Sequence, residues 1–88
     1  MTTQNTDLTN LPNIGRTLAD KLKMVGISTP GDLLNTGSEN AMIKIKTIDK
    51  EACINMLFAL EGAIQGIRWH NLDKSKKLEL TEFYNRLK

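Results

Sequence analysis

Residues 11–15, Leu11-Pro12-Asn13-Ile14-Gly15, constrain this chain more than any other stretch. They spell a tight turn, because Asn is the non-glycine residue best able to adopt positive φ. The apolar spacing that follows (Leu18, Ala19, Leu22 and Val25) predicts a helix opening at Arg16. A turn of this kind points several backbone N–H groups the same way. The helix start adds its own uncapped N–H groups and the positive end of its dipole. Such a combination holds a phosphate without any special side chain. Asn13, Ile14, Gly15 and Arg16, with Lys21 and Lys23 supplying charge, are therefore the candidate phosphate-binding residues.

Helix signals continue along the chain. Gly26 stops the first helix. Thr29-Pro30-Gly31-Asp32 opens a second, with Thr29 as cap, Pro30 in the first turn and Asp32 reaching back as the capping-box acid. Leu33 and Leu34 lie on this short helix. Thr36-Gly37-Ser38-Glu39 repeats the capping-box spacing and predicts a third helix through about Lys46, with Met42, Ile43 and Ile45 as its apolar residues. The longest helix is expected from Asp49 to Gln65. Ala52, Cys53, Met56, Leu57, Leu60, Ala63 and Ile64 form its apolar stripe, and Gly66 is its left-handed stop. Asp73 caps a last helix that turns Leu80, Phe83, Tyr84 and Leu87 to one face. Leu78 lies nearly opposite, either against an earlier helix or exposed. No stretch alternates long enough to make a strand. The expected fold is all-α, a compact bundle of about five helices, with residues 1–6 as a frayed tail and 7–88 as one domain.

Composition narrows the function classes. A single cysteine, Cys53, forms no internal disulfide, and one His with one Cys makes no zinc site of those ligands. No run reaches the roughly 20 apolar residues of a membrane span. The first residues lack the features of a secretory signal, so a cytoplasmic protein is expected. The net charge of +2 is too small to establish nucleic-acid binding. Its distribution is uneven, −1 over residues 1–40 and +3 over 41–88. Arg68, Lys74, Lys76 and Lys77 cluster around His70 and Asp73, as a second basic patch or simply a solvated face. Trp69 either stacks on a base or plugs the core.

Catalytic constellations are missing. No P-loop, dinucleotide fingerprint, serine elbow or metal signature is present. Glu61 falls beside the apolar stripe with no second acid, His or nucleophile spaced to work with it. A pair with Arg68 or a backbone N–H is expected for it. Cys53 reads as a buried small hydrophobe. Gly62, in mid-helix, marks close helix–helix approach. A non-enzymatic protein without cofactor, metal or small-molecule substrate is expected.

Two resemblances sharpen this. A short helix ending near Thr9, the turn and the next helix resemble a helix–hairpin–helix, carried by Leu11, Pro12, Ile14, Gly15, Ala19, Leu22, Gly26 and Ile27. Asn13 stands where that pattern usually has its first glycine. The resemblance implies contact between hairpin amides and duplex DNA phosphates, independent of sequence. More widely, Leu11 to about Leu87 resembles the C-terminal domain of the TfoX/Sxy family of bacterial competence regulators. Leu11–Gly15, Gly26-Ile27-Ser28-Thr29, Asp32-Leu33-Leu34, Ala59-Leu60-Glu61-Gly62-Ala63, Gly66, Trp69 and Leu72 carry it. Family members usually carry a preceding domain, so the resemblance implies a stand-alone version of this module and a regulatory role in transcription or competence. Two partners follow as expectations: duplex DNA, bound weakly and with steep salt dependence, or a regulatory protein, self-association included.

Overall fold

The computed structural model describes residues 7–87. Among these the chain is helical, with no strand. A 3₁₀ turn, Leu8–Asn10, precedes five α-helices: α1 (Arg16–Met24), α2 (Pro30–Thr36), α3 (Ser38–Lys46), α4 (Ile54–Gln65) and α5 (Lys74–Leu87). A second 3₁₀ turn, Trp69–Asn71, joins the last two. The all-α class and the five helices agree with the sequence reading. The tail expected at residues 1–6 lies outside the described residues. Among the described residues the arm before the Asn13 turn is the 3₁₀ turn Leu8–Asn10, and the rest of the helix expected to end near Thr9 lies outside them.

α4 is the centre of the fold and packs against α2, α3, α5 and the second 3₁₀ turn. Leu57 and Leu60 are completely buried on it, as are Met42 and Ile45 on α3 and Leu22 on α1. Each such side chain contributes about 2 kcal/mol by leaving water. Leu8 is also fully buried, which ties the first 3₁₀ turn to the core. α5 turns Leu80 into this core and rests Phe83, Tyr84 and Leu87 at its margin. Leu78 is exposed, which decides between its two expected positions.

Three helix starts test the capping logic. At α2 the box forms as expected: Thr29 Oγ1 accepts from the Asp32 N–H at 3.0 Å, and Asp32 Oδ2 accepts from the Thr29 N–H at 3.2 Å. At α3 it does not. Thr36 Oγ1 donates back to the Asp32 carbonyl at 2.8 Å, and Gly37 caps instead, without a side chain. Gly37 is both the C-cap of α2 and the N-cap of α3, at φ 84 and ψ 157. That region is essentially reserved for glycine.

The third start, that of α4, departs from expectation as well: the helix begins at Ile54, five residues after Asp49. Asp49 Oδ1 accepts from the Glu51 N–H at 3.0 Å, so its side chain serves a turn and not a helix. Cys53 is consequently the residue before the helix, and it is exposed rather than buried on the stripe.

Candidate functional site

The Asn13 turn adopts the expected left-handed backbone, with φ 71 at Asn13. Its side chain has a role the sequence conceals. Asn13 Nδ2 donates to the Ile67 carbonyl at 2.9 Å and, at 3.5 Å, to that of Ala59. Its Oδ1 accepts from the Trp69 N–H at 3.2 Å. The end of α4 curls back through the bond from the Ile67 N–H to the Gly62 carbonyl, 2.9 Å, and Asn13 fastens that curl. Gly62 is what admits it. A methyl group there would lie 2.5 Å from Asn13 Nδ2 and 2.9 Å from the Ile67 carbonyl oxygen. The close approach at Gly62 is therefore of a side chain and a returning loop, where a second helix was expected.

The candidate phosphate residues divide. Ile14 is buried, while Gly15 and Arg16 are exposed at the start of α1. Gly15 is the N-cap and gives α1 no side-chain cap, so its first-turn N–H groups are not taken by a capping side chain. Lys21 turns away to pair with Asp49. Arg16 and Lys23 line an open hollow of about 320 Å³ together with Asp7, Thr9 and Asp20. Two cations thus face two carboxylates. The backbone N–H and then the hydroxyl of Thr9 hold the Asp7 carboxyl below its ordinary value, with smaller contributions from Lys23 and Arg16. Asp7 is ionised there, and the hollow has no net positive charge.

The second basic patch is partly occupied by the protein itself. Lys76 pairs with Glu79 at 3.4 Å. Lys77 Nζ donates to the His70 carbonyl at 3.2 Å and lies 5.9 Å from the centroid of the Trp69 ring. Arg68 and Lys74 are exposed. Phe58 and His70 both stack on Trp69, at centroid separations of 5.8 and 4.2 Å. The indole is half-buried at the core margin, and His70 is exposed.

Glu61 has neither of its expected partners. Its Oε1 accepts from Ser38 Oγ at 2.7 Å and its Oε2 from Gln65 Nε2 at 2.7 Å. Ser38 is 5% exposed, so Glu61 satisfies a buried hydroxyl at the start of α3. A polar hollow of about 290 Å³ opens beside the pair, bordered by Glu39, Lys76 and Glu79. No three His, Cys, Asp or Glu residues group to hold a metal among the described residues. No helix among them is long and apolar enough to cross a membrane.

One feature escaped the sequence reading. Leu11, Pro30, Leu33, Leu34, Ala63 and Ile64 line a mostly apolar hollow of about 190 Å³ between α2 and the end of α4. Leu34, at its edge, is 58% exposed. The adjacent leucines Leu33 and Leu34 were the available signal, since a seven-residue helix on a core turns only one of two neighbours inward.

Among solved structures, the chain is similar to an uncharacterized protein from Listeria monocytogenes in a triclinic crystal form. The two are 49% identical over 91% of each chain, with a TM-score of 0.90. A Listeria monocytogenes protein of unknown function in a tetragonal form is 48% identical, over 91% of this chain and 99% of that one, with a TM-score of 0.89. No curated protein matches the chain. The family model of the TfoX C-terminal domain matches residues 4–84, nearly the whole length. The chain belongs to the TfoX C-terminal domain family.

Proposed function

We propose that this domain is a non-enzymatic protein-interaction module of transcription or competence regulation. It docks an apolar side chain of a partner protein in the hollow between α2 and the end of α4. The apolar hollow edged by exposed Leu34 carries this reading. Water in such a concavity is displaced favourably by an apolar group, and the walls belong to helices fixed by the core. The charge balance beside the Asn13 turn supports the same choice. Duplex DNA binding through phosphates draws most of its affinity from cations, and here Arg16 and Lys23 are matched by Asp7 and Asp20.

A photo-crosslinking residue placed at Leu34 and, separately, at exposed Leu78 in living cells identifies what reaches each position. A partner captured at Leu34 alone is purified and titrated against the wild-type domain and Leu34→Asp. The expected result is at least a tenfold loss of affinity in the variant. Equal affinity overturns the docking site. A parallel titration of labelled duplex DNA at two salt concentrations tests the other reading. Binding that Arg16→Glu abolishes would replace protein docking with phosphate contact at the turn.

A further inference from the structure

The aromatic and basic surface around His70 is not used by the docking hollow and stands independently of it. The Trp69 ring is half-buried, stacked with Phe58 and His70 and 5.9 Å from the Lys77 ammonium. The ring left for a partner is that of His70, which is exposed and stacked on Trp69 at 4.2 Å. Its backbone is held as well: the Lys77 ammonium donates to the His70 carbonyl, and the Trp69 N–H donates to Asn13. The result is an exposed imidazole stacked on a half-buried indole.

The charges around it are mostly cationic. The first turn of α5 contains no acid, and Lys74, Lys76 and Lys77 stand in it. Asp73, directly before the helix, is the one acid beside them. Arg68 adds a further exposed cation next to Trp69. Glu79 takes up Lys76, and with Asp73 counted the stretch 68–79 holds four basic and two acidic groups, a net charge of +2.

We propose that the His70 ring stacks a base of single-stranded nucleic acid, with Arg68 and Lys74 taking the flanking phosphates. A flat ring beside cations is the arrangement by which proteins hold single strands without reading sequence. A duplex keeps its bases stacked inside and presents nothing to the ring, so single strands are preferred over duplexes.

Trp69 is the sole tryptophan, and its fluorescence reports directly on the stack. The wild-type domain is titrated at low salt with twelve-residue oligothymidylate and, in a second arm, oligouridylate. Quenching of Trp69 by one or both is expected; binding by only one identifies the sugar preferred. His70→Ala weakens binding by roughly five- to a hundredfold, while His70→Phe retains it, since phenyl also stacks. Lys74→Glu lowers the salt dependence by about 0.7 in the log–log slope for each phosphate that is no longer neutralised. His70 is exposed, so circular dichroism of both His70 variants matches wild type. Four results overturn the proposal. These are no binding of either oligomer, equal binding by His70→Ala, equal loss with Phe and Ala, or heparin or a duplex of the same length binding as tightly as the single strand.

Discussion

Replacing Gly62 by Ala sets two effects of opposite sign against each other. Alanine is the better helix former by about 1 kcal/mol in a helix interior, so on propensity alone the variant gains stability. Packing says otherwise. The new methyl falls 2.5 Å from Asn13 Nδ2, 2.9 Å from the Ile67 carbonyl oxygen and 3.1 Å from Trp69 Cα. The first contact expels the Asn13 amide and with it the bonds to Ile67 and Trp69, at about 1 kcal/mol each. The other two press on backbone, which yields less readily than a side chain and adds about 1–2 kcal/mol. The net expectation is a loss of about 2–3 kcal/mol, a fall in Tm of roughly 10–20 °C for a domain this size. Urea and thermal unfolding followed by circular dichroism measure it. A double-mutant cycle localises it: in the Asn13→Gly background the 2.5 Å clash is gone, so the cost of Gly62→Ala shrinks toward the part due to Ile67 and Trp69. A Gly62→Ala variant as stable as wild type, or a cost unchanged in the Asn13→Gly background, refutes the reasoning.

Asp49 is held below its ordinary value of 3.8 first by the Lys21 ammonium and then by the Glu51 N–H. A depressed folded value means that its stabilising contribution is complete above about 3.8 and is lost as pH falls below that. Lys21→Met is expected to return the carboxyl toward 3.8, seen in a carbon-13 NMR titration; identical midpoints in the two proteins would exclude Lys21 as the cause. Cys53 is exposed, so a full equivalent of thiol reacts with Ellman's reagent in the native protein; a reaction that waits for denaturant would return Cys53 to the core. Ser38→Ala removes the donor to Glu61 and is expected to cost about 1 kcal/mol in urea unfolding. An unchanged midpoint would mean that the Ser38–Glu61 bond contributes no net stability.

Local signals were legible where both partners of an interaction are close in sequence. The Thr29–Asp32 box and the turn at Asn13 depend on neighbours, and both are present. Two errors share a cause: Asp49 and Thr36 have the chemistry of helix caps, but such side chains also bond to other nearby backbone groups, and here those alternatives win. Misplacing the start of α4 in turn buried Cys53, which lies outside it. The remaining misses are long-range. Asn13 bonds to residues 54 and 56 positions away, and Glu61 to one 23 positions away, and no spacing rule reaches that far. For the same reason the sequence grouped Lys21 with Arg16 and Lys23, whereas the fold commits it to Asp49. The apolar hollow unites residues 11, 30–34 and 63–66, a grouping that only packing creates.

The junction at Gly37 bears on how a partner meets Leu34. One residue separates α2 from α3, and both of its backbone groups are engaged: its N–H donates to the Leu33 carbonyl at 2.8 Å and its carbonyl accepts from the Ala41 N–H at 3.0 Å. A joint of zero slack is an elbow and not a hinge. α2 cannot swing as a lid without breaking bonds in two helices, so the wall of the hollow that includes Leu34 is held in one shape. If a partner docks there as proposed, it meets a rigid receptor, so little affinity is spent on ordering the receptor and selectivity rests on the shape of the incoming side chain.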